Sequence, residues 1–233
     1  MIKLNKGLEP QILQDNRIAW EQALRDHEAN GTIPSKAELS RYGHQDIKAA
    51  LLSETHEKCA YCESIFRHVY PGDVEHVTPK RNGIQFRFTW GNLTIACSTC
   101  NTHKGVKEGL VDPYVDDPEI VFQHAGPAML ADPADNKAYV TESALALNRN
   151  ALVERRMNRL KGLHRMLKIA LDQPDPYSRE ILLDELRIKE IRDDVEFAAM
   201  SRWFVRDLIA RGIIPAPNPA PAPQANVQTS VGP

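Results

Sequence analysis

All four cysteines of this chain fall in two CxxC pairs, Cys59–Cys62 and Cys97–Cys100, with 34 residues (63–96) between them. A CxxC turn presents two sulfurs to one ion, and two such turns supply the four thiolates of a closed, tetrahedral zinc site. No cysteine is left over, whereas four unrelated buried thiols would leave the spacing unexplained. A closed site does no chemistry itself. It staples the ends of an excursion that would otherwise lack a core.

The remaining composition is that of an ordinary globular chain of 233 residues, enough for one sizeable core with an appendage or for two small domains. No run of purely apolar residues exceeds four, so no membrane span is expected. The opening MIKLNKGLEPQ lacks the apolar region of a secretory signal. The expected location is therefore the reducing cytoplasm, where a double CxxC binds metal rather than forming disulfides. Net charge is −2, so a nucleic-acid partner demands either clustered basic residues or a second protein that supplies grip.

Along the chain, residues 1–8 read as an arm, and 1–58 as an N-terminal helical region. One helix is expected over Gln11–Glu28, with Ile12, Leu13, Ile18, Ala19, Ala23 and Leu24 as its stripe, and a short one over His44–His56. The zinc-framed core occupies 59–110. Loops and short strands are expected over 111–148, the strands at Glu119–Phe122, Ala128–Leu130 and Lys137–Thr141. The helical region 149–212 opens with Asn150–Leu171, whose Leu152, Leu160, Leu163, Leu167 and Leu171 form an apolar stripe. Its other faces, with the residue before it, carry Arg149, Arg155, Arg156, Arg159, Lys161, Arg165 and Lys168. They form either a nucleic-acid surface or a solvated helix face. The tail 213–233 alternates proline, alanine and small polar residues, cannot bury a core and reads as disordered.

Inside the excursion, Asp73-Val74-Glu75-His76-Val77-Thr78-Pro79-Lys80 suits a short strand. Successive side chains leave opposite faces, so Glu75 and His76 share a direction only if the strand bends or ends there. A carboxylate that holds a hard cation beside an imidazole that deprotonates water is what a metal-dependent hydrolase needs.

Glu75-His76, Asn92 within WGNL and the phrase CSTCNTHKG resemble the HNH endonuclease pattern set in a four-cysteine zinc frame. The phrases CAYCES, GDVEHVTPK and MIKLNKGLEP are similar to the PtuB-like subfamily, the nuclease subunits of Septu-type and retron-associated anti-phage systems. The resemblance covers about residues 1–211 and is strongest from 59 to 105. It implies an α+β, mostly helical chain: a ββα-metal core flanked by N- and C-terminal helices. It implies His76 as general base, Glu75 as metal ligand and Asn92 as the structural asparagine. Asn101 stands where many HNH enzymes carry a metal-binding histidine. An amide oxygen there favours Mg²⁺ or Mn²⁺, with His103 as a substitute ligand. Lys104, and Lys80 with Arg81, are candidates to hold the scissile phosphate. The implied partners are a nucleic acid, DNA in preference, and a PtuA-like ABC-type ATPase, with a retron reverse transcriptase in the retron setting. A ribonuclease acting on host tRNA and a non-cutting zinc-stabilised binding module are the alternatives.

Overall fold

The computed structural model describes residues 1–217. From residue 218 on, the tail expected to be disordered lies outside the described residues. Helix α1 (Gln11–Asn30) ends where Gly31 adopts φ 63° and donates back to the carbonyl of Glu28. Only Leu13 and Leu24 of the expected stripe are buried; Ile18 is exposed, and Trp20 instead meets Phe88 edge-on at 5.5 Å. Helix α2 (Lys36–Leu39) is fixed by a reciprocal capping box between Ser35 and Glu38. A single tight turn, Arg41–Gly43, leads to α3 (Gln45–Glu54), which buries Ile47, Leu51 and Leu52.

Strand β1 (Asp73–His76) pairs antiparallel with β2 (Leu93–Ala96), Glu75 opposite Thr94 and His76 opposite Leu93. Between them lies α4 (Ile84–Phe88), and α5 (Ser98–Lys104) starts directly after β2. Two strands and a helix thus form the centre, as the resemblance implies. Gly72 enters β1 at φ 85°, and a Cβ there would lie 2.7 Å from the Phe66 ring, so both backbone and packing require glycine.

Residues 111–148 are more helical than expected. Pro118–Val121 is a short helix, α6, before β3 (Phe122–Ala125) pairs with β4 (Ala128–Ala131). Lys137–Thr141, expected as a strand, lies within helix α7 (Asn136–Ala144). Asp135 caps that helix by accepting from the Ala138 amide at 2.9 Å, which overrides the strand preference of Tyr139, Val140 and Thr141.

Helix α8 (Asn150–Leu171) has the predicted bounds and buries Leu152, Leu160, Leu163 and Leu167, with Ala170 rather than Leu171 closing the stripe. Its cations do not form one free face. Arg156 is 1% exposed and donates to the Leu147 carbonyl at 2.8 Å. Arg155 pairs with Glu196 at 3.0 Å and Arg159 with Glu190 at 2.5 Å. Helix α9 (Pro176–Asp184) runs into a wide turn, Glu185–Lys189, and α10 (Ala198–Ala210) completes the fold.

The first residues are not a free arm. Met1, Ile2 and Leu4 are buried, and the Leu4 amide donates to the Pro113 carbonyl at 2.8 Å. The Met1 ammonium lies 2.5 Å from Glu63 Oε1, and Lys58 Nζ lies 3.6 Å from Oε2. Burial alone would raise the Glu63 carboxyl, but these two cations outweigh it and bring the group down to about 2. Removing one partner of a buried ion cluster leaves the other charges uncompensated, so Glu63→Ala is expected to cost about 3 kcal/mol in a urea melt. Because the folded pKa is depressed, this contribution is complete above the unfolded value of about 4.3. It is lost as pH falls through about 2.

Candidate active site

The four sulfurs of Cys59, Cys62, Cys97 and Cys100 lie within 4.8 Å of one another. Cys62 Sγ and Cys97 Sγ are 3.9 Å apart. A tetrahedron with Zn–S near 2.3 Å places its sulfurs roughly 3.8 Å apart, so the cluster is close to the size that one zinc ion requires. The N-terminal knuckle docks on β2 through the Ala60 amide, which donates to Ile95 at 3.0 Å, and Cys97 sits at the start of α5. Arg149 places Nη1 and Nη2 each 3.7 Å from Cys100 Sγ. A guanidinium there offsets the −2 charge of a zinc ion with four thiolates.

Strand β1 ends at His76, which resolves the geometric conflict over the acid–His pair: both side chains line one cavity of about 460 Å³. His76 Nε2 lies 3.0 Å from the Arg87 carbonyl. A carbonyl only accepts, so Nε2 carries the proton and Nδ1 the lone pair. Burial lowers the His76 pKa to about 4, and neighbouring Lys80, Arg87 and Lys104 push the same way. The imidazole is therefore neutral near pH 7 and able to accept a proton.

Asn92 is buried and bonds through three contacts. Its Oδ1 accepts from the Thr78 amide at 2.7 Å, and Nδ2 donates to the carbonyls of Thr78 at 2.9 Å and Phe86 at 2.7 Å. The chain leaving His76 and the helix carrying Arg87 are thereby held by one side chain.

Burial raises the Glu75 pKa, against the pull of Lys104, whose Nζ lies 2.8 Å from Glu75 Oε1. Lys104 is 2% exposed and also donates to the His76 carbonyl at 2.6 Å. It braces the acid–His pair from inside and does not face the cavity where a phosphate was expected. Lys80 and Arg81 do line that cavity. Asn101 lines it too, donating from Nδ2 to Asp73 Oδ2 at 2.8 Å, which leaves its amide oxygen as the ligating end. His103 is turned to the Leu145 carbonyl, 3.2 Å from Nδ1.

Asp73 escaped the sequence reading. It lies two residues before Glu75 on the same strand face, so alternation along β1 was the signal that could have found it. Its other carboxylate oxygen accepts from the Tyr70 hydroxyl at 2.5 Å. Asp73, Glu75 and Asn101 give the cavity hard oxygen donors of the kind that hold Mg²⁺ or Mn²⁺. Among the described residues, the cysteines are the one group of three or more His, Cys, Asp or Glu side chains whose ligand atoms already converge.

Elemental analysis of purified protein is expected to give one zinc per chain. Cys100→Ser should abolish it and expose the 59–105 region to protease, because metal affinity and folding are coupled. Asn92→Ala should retain zinc yet lose about 3 kcal/mol, since buried amide and carbonyl groups are left without partners. Equal melting of Asn92→Ala and wild type would contradict the latch.

Residues 59–107 match the family model described as HNH endonuclease. A curated protein of Bacillus thuringiensis, "Septu protein PtuB", is 37% identical over 84 residues, covering 34% of this chain and 33% of that protein. The match thus spans about a third of the relative's length. Residues 59–107 are therefore similar to HNH endonucleases, and about a third of the chain is similar to a Septu PtuB protein.

Proposed function

We propose that the chain is a metal-dependent HNH endonuclease that hydrolyses phosphodiester bonds and acts in anti-phage defence. The observation that carries this reading is His76, held at Nε2 by a carbonyl, which leaves Nδ1 to accept a proton, and lining one cavity with carboxylates and cations. His76 takes a proton from water through Nδ1, and the Arg87 carbonyl holds the imidazolium that forms. Lys80 and Arg81 draw the phosphate into line, with the scissile bond across the cavity. A divalent cation held by Glu75 and Asn101, with Asp73 beside them, would offset charge on the phosphate and on the departing oxygen. Lys104 favours the ionised form of Glu75 for that role, against its burial.

Neither the base nor the carboxylates consult the sugar, so DNA is the first substrate to offer and RNA the second. Grip on nucleic acid is where a partner enters. Net charge is −2, Arg149 and Arg156 are committed to internal contacts, and Arg155 and Arg159 are paired with Glu196 and Glu190. These features support an ABC-type ATPase partner of the kind implied by the resemblance, supplying both hold and trigger. The relative's printed name speaks for the Septu setting rather than the retron one.

The test is cleavage of plasmid DNA and total tRNA in Mg²⁺ or Mn²⁺, with the chain alone and with its ATPase. His76→Ala of equal zinc content is expected to lose cleavage by about a thousandfold. If wild type leaves every substrate intact with the ATPase present, a binding module is the better reading. The pH profile is a second check. With His76 at about 4, the base is neutral above that value and is lost as pH falls through it, so the acid limb of kcat/KM should lie near 4, not near 6.5.

A further inference from the structure

Several groups around His76 come from outside residues 59–107. Tyr42, in the turn between α2 and α3, sets its ring edge-on to the imidazole, with centroids 4.6 Å apart and planes at 82°. Its hydroxyl accepts from Lys80 Nζ at 2.6 Å, and that ammonium lies 4.6 Å from the ring centroid. The Leu39 carbonyl, at the end of α2, accepts from Arg87 Nη1 at 2.8 Å. Arg87 is the residue whose own carbonyl holds His76 Nε2. On α3, Lys48 lines the same cavity as Lys80 and Arg81.

These contacts have distinct physical consequences. An imidazole held at Nε2 alone can still swing about that bond, and an aromatic ring packed at 4.6 Å removes the freedom. A lysine ammonium on a four-carbon stem samples many rotamers unless an acceptor fixes it. The Tyr42 hydroxyl is such an acceptor, and it leaves two ammonium N–H groups for a phosphate. One residue therefore touches the general base with its ring and the phosphate-facing cation with its oxygen.

We infer that the active site is bipartite: residues 39–48 form its second wall, with Tyr42 positioning His76 and Lys80, and Lys48 a further cation for the nucleic-acid backbone. This rests on the nuclease reading above and adds to it the residues that place the base and receive the strand.

The ring and the hydroxyl can be separated by substitution. Steady-state cleavage is measured for full-length wild type, Tyr42→Phe, Tyr42→Ala, Lys48→Ala and His76→Ala, with the ATPase present. Zinc content and melting temperature are recorded for each. Tyr42→Phe keeps the ring, so kcat should stay within about twofold while KM rises roughly three- to tenfold as Lys80 loses its anchor. Tyr42→Ala should add a loss in kcat of about ten- to a hundredfold, the cost of a base that is no longer held in line. Lys48→Ala should raise KM alone, and the effect should shrink at high salt. A merely structural role predicts instead that both Tyr42 variants fall together, in step with melting temperature and without a split between KM and kcat. That outcome, or wild-type constants for Tyr42→Ala beside a dead His76→Ala, overturns the second wall and leaves the nuclease reading standing. Wild type that cuts nothing removes both.

Discussion

Four thiolates gathered within 4.8 Å pose a charge problem that the rest of the fold answers. One divalent ion cancels half of their charge, and Arg149 faces the remainder at Cys100. Arg149 is also the residue just before α8, so the longest helix of the chain starts at the metal cluster. On the other side, Ala60 bonds to β2, and Glu63, directly after the first knuckle, bonds the Met1 ammonium and the Ala199 amide. Strand pairing, the first residues and the C-terminal helices therefore all refer to the same few residues. A chain that lost the ion would lose the common origin of these contacts.

Burial has opposite effects on two adjacent residues of the site. It drives His76 toward its neutral form, which is the form a general base needs. It drives Glu75 toward its neutral form as well, which is the wrong form for a cation ligand. Lys104 opposes burial at Glu75 and reinforces it at His76, since its ammonium favours the ionised carboxylate and disfavours the imidazolium. A lysine that seemed placed for substrate thus acts in opposite senses on its two neighbours. The strand end at His76 does the rest by letting both side chains reach one cavity.

What could be read from the sequence follows the range of the forces involved. The CxxC spacing, the span of α8 and the strand at Glu75-His76 are set by local chemistry and the residues state them directly, whereas the β1–β2–α5 order came from the family resemblance. Asn92 was legible as a motif, although its three bonds depend on tertiary approach. Lys137–Thr141 misled because β-branched and aromatic residues favour a strand until a cap such as Asp135 starts a helix. Tyr42 left no signal at all. It lies 34 positions from His76 in a turn, and no periodicity connects the two.

The flanking helices divide their work between the two halves of the centre. The C-terminal region serves the zinc side: Arg149 faces Cys100, Glu196 accepts from the Ile65 amide at 3.1 Å, and the Val195 carbonyl accepts from Lys58 at 2.9 Å. The segment 39–48 serves the cavity side, through Leu39, Tyr42 and Lys48. This division explains why so few cations of α8 remain for nucleic acid. A guanidinium that neutralises thiolates or caps a buried carbonyl cannot also meet a phosphate, and of the exposed cations on that helix Arg155 is already paired with Glu196, which leaves Lys161, Arg165 and Lys168. The cations that line the cavity are few and close together, enough to orient one phosphate but too few to hold a duplex against salt. Orienting one phosphate and gripping a duplex are thus separate demands, and the cations of this cavity suit the first.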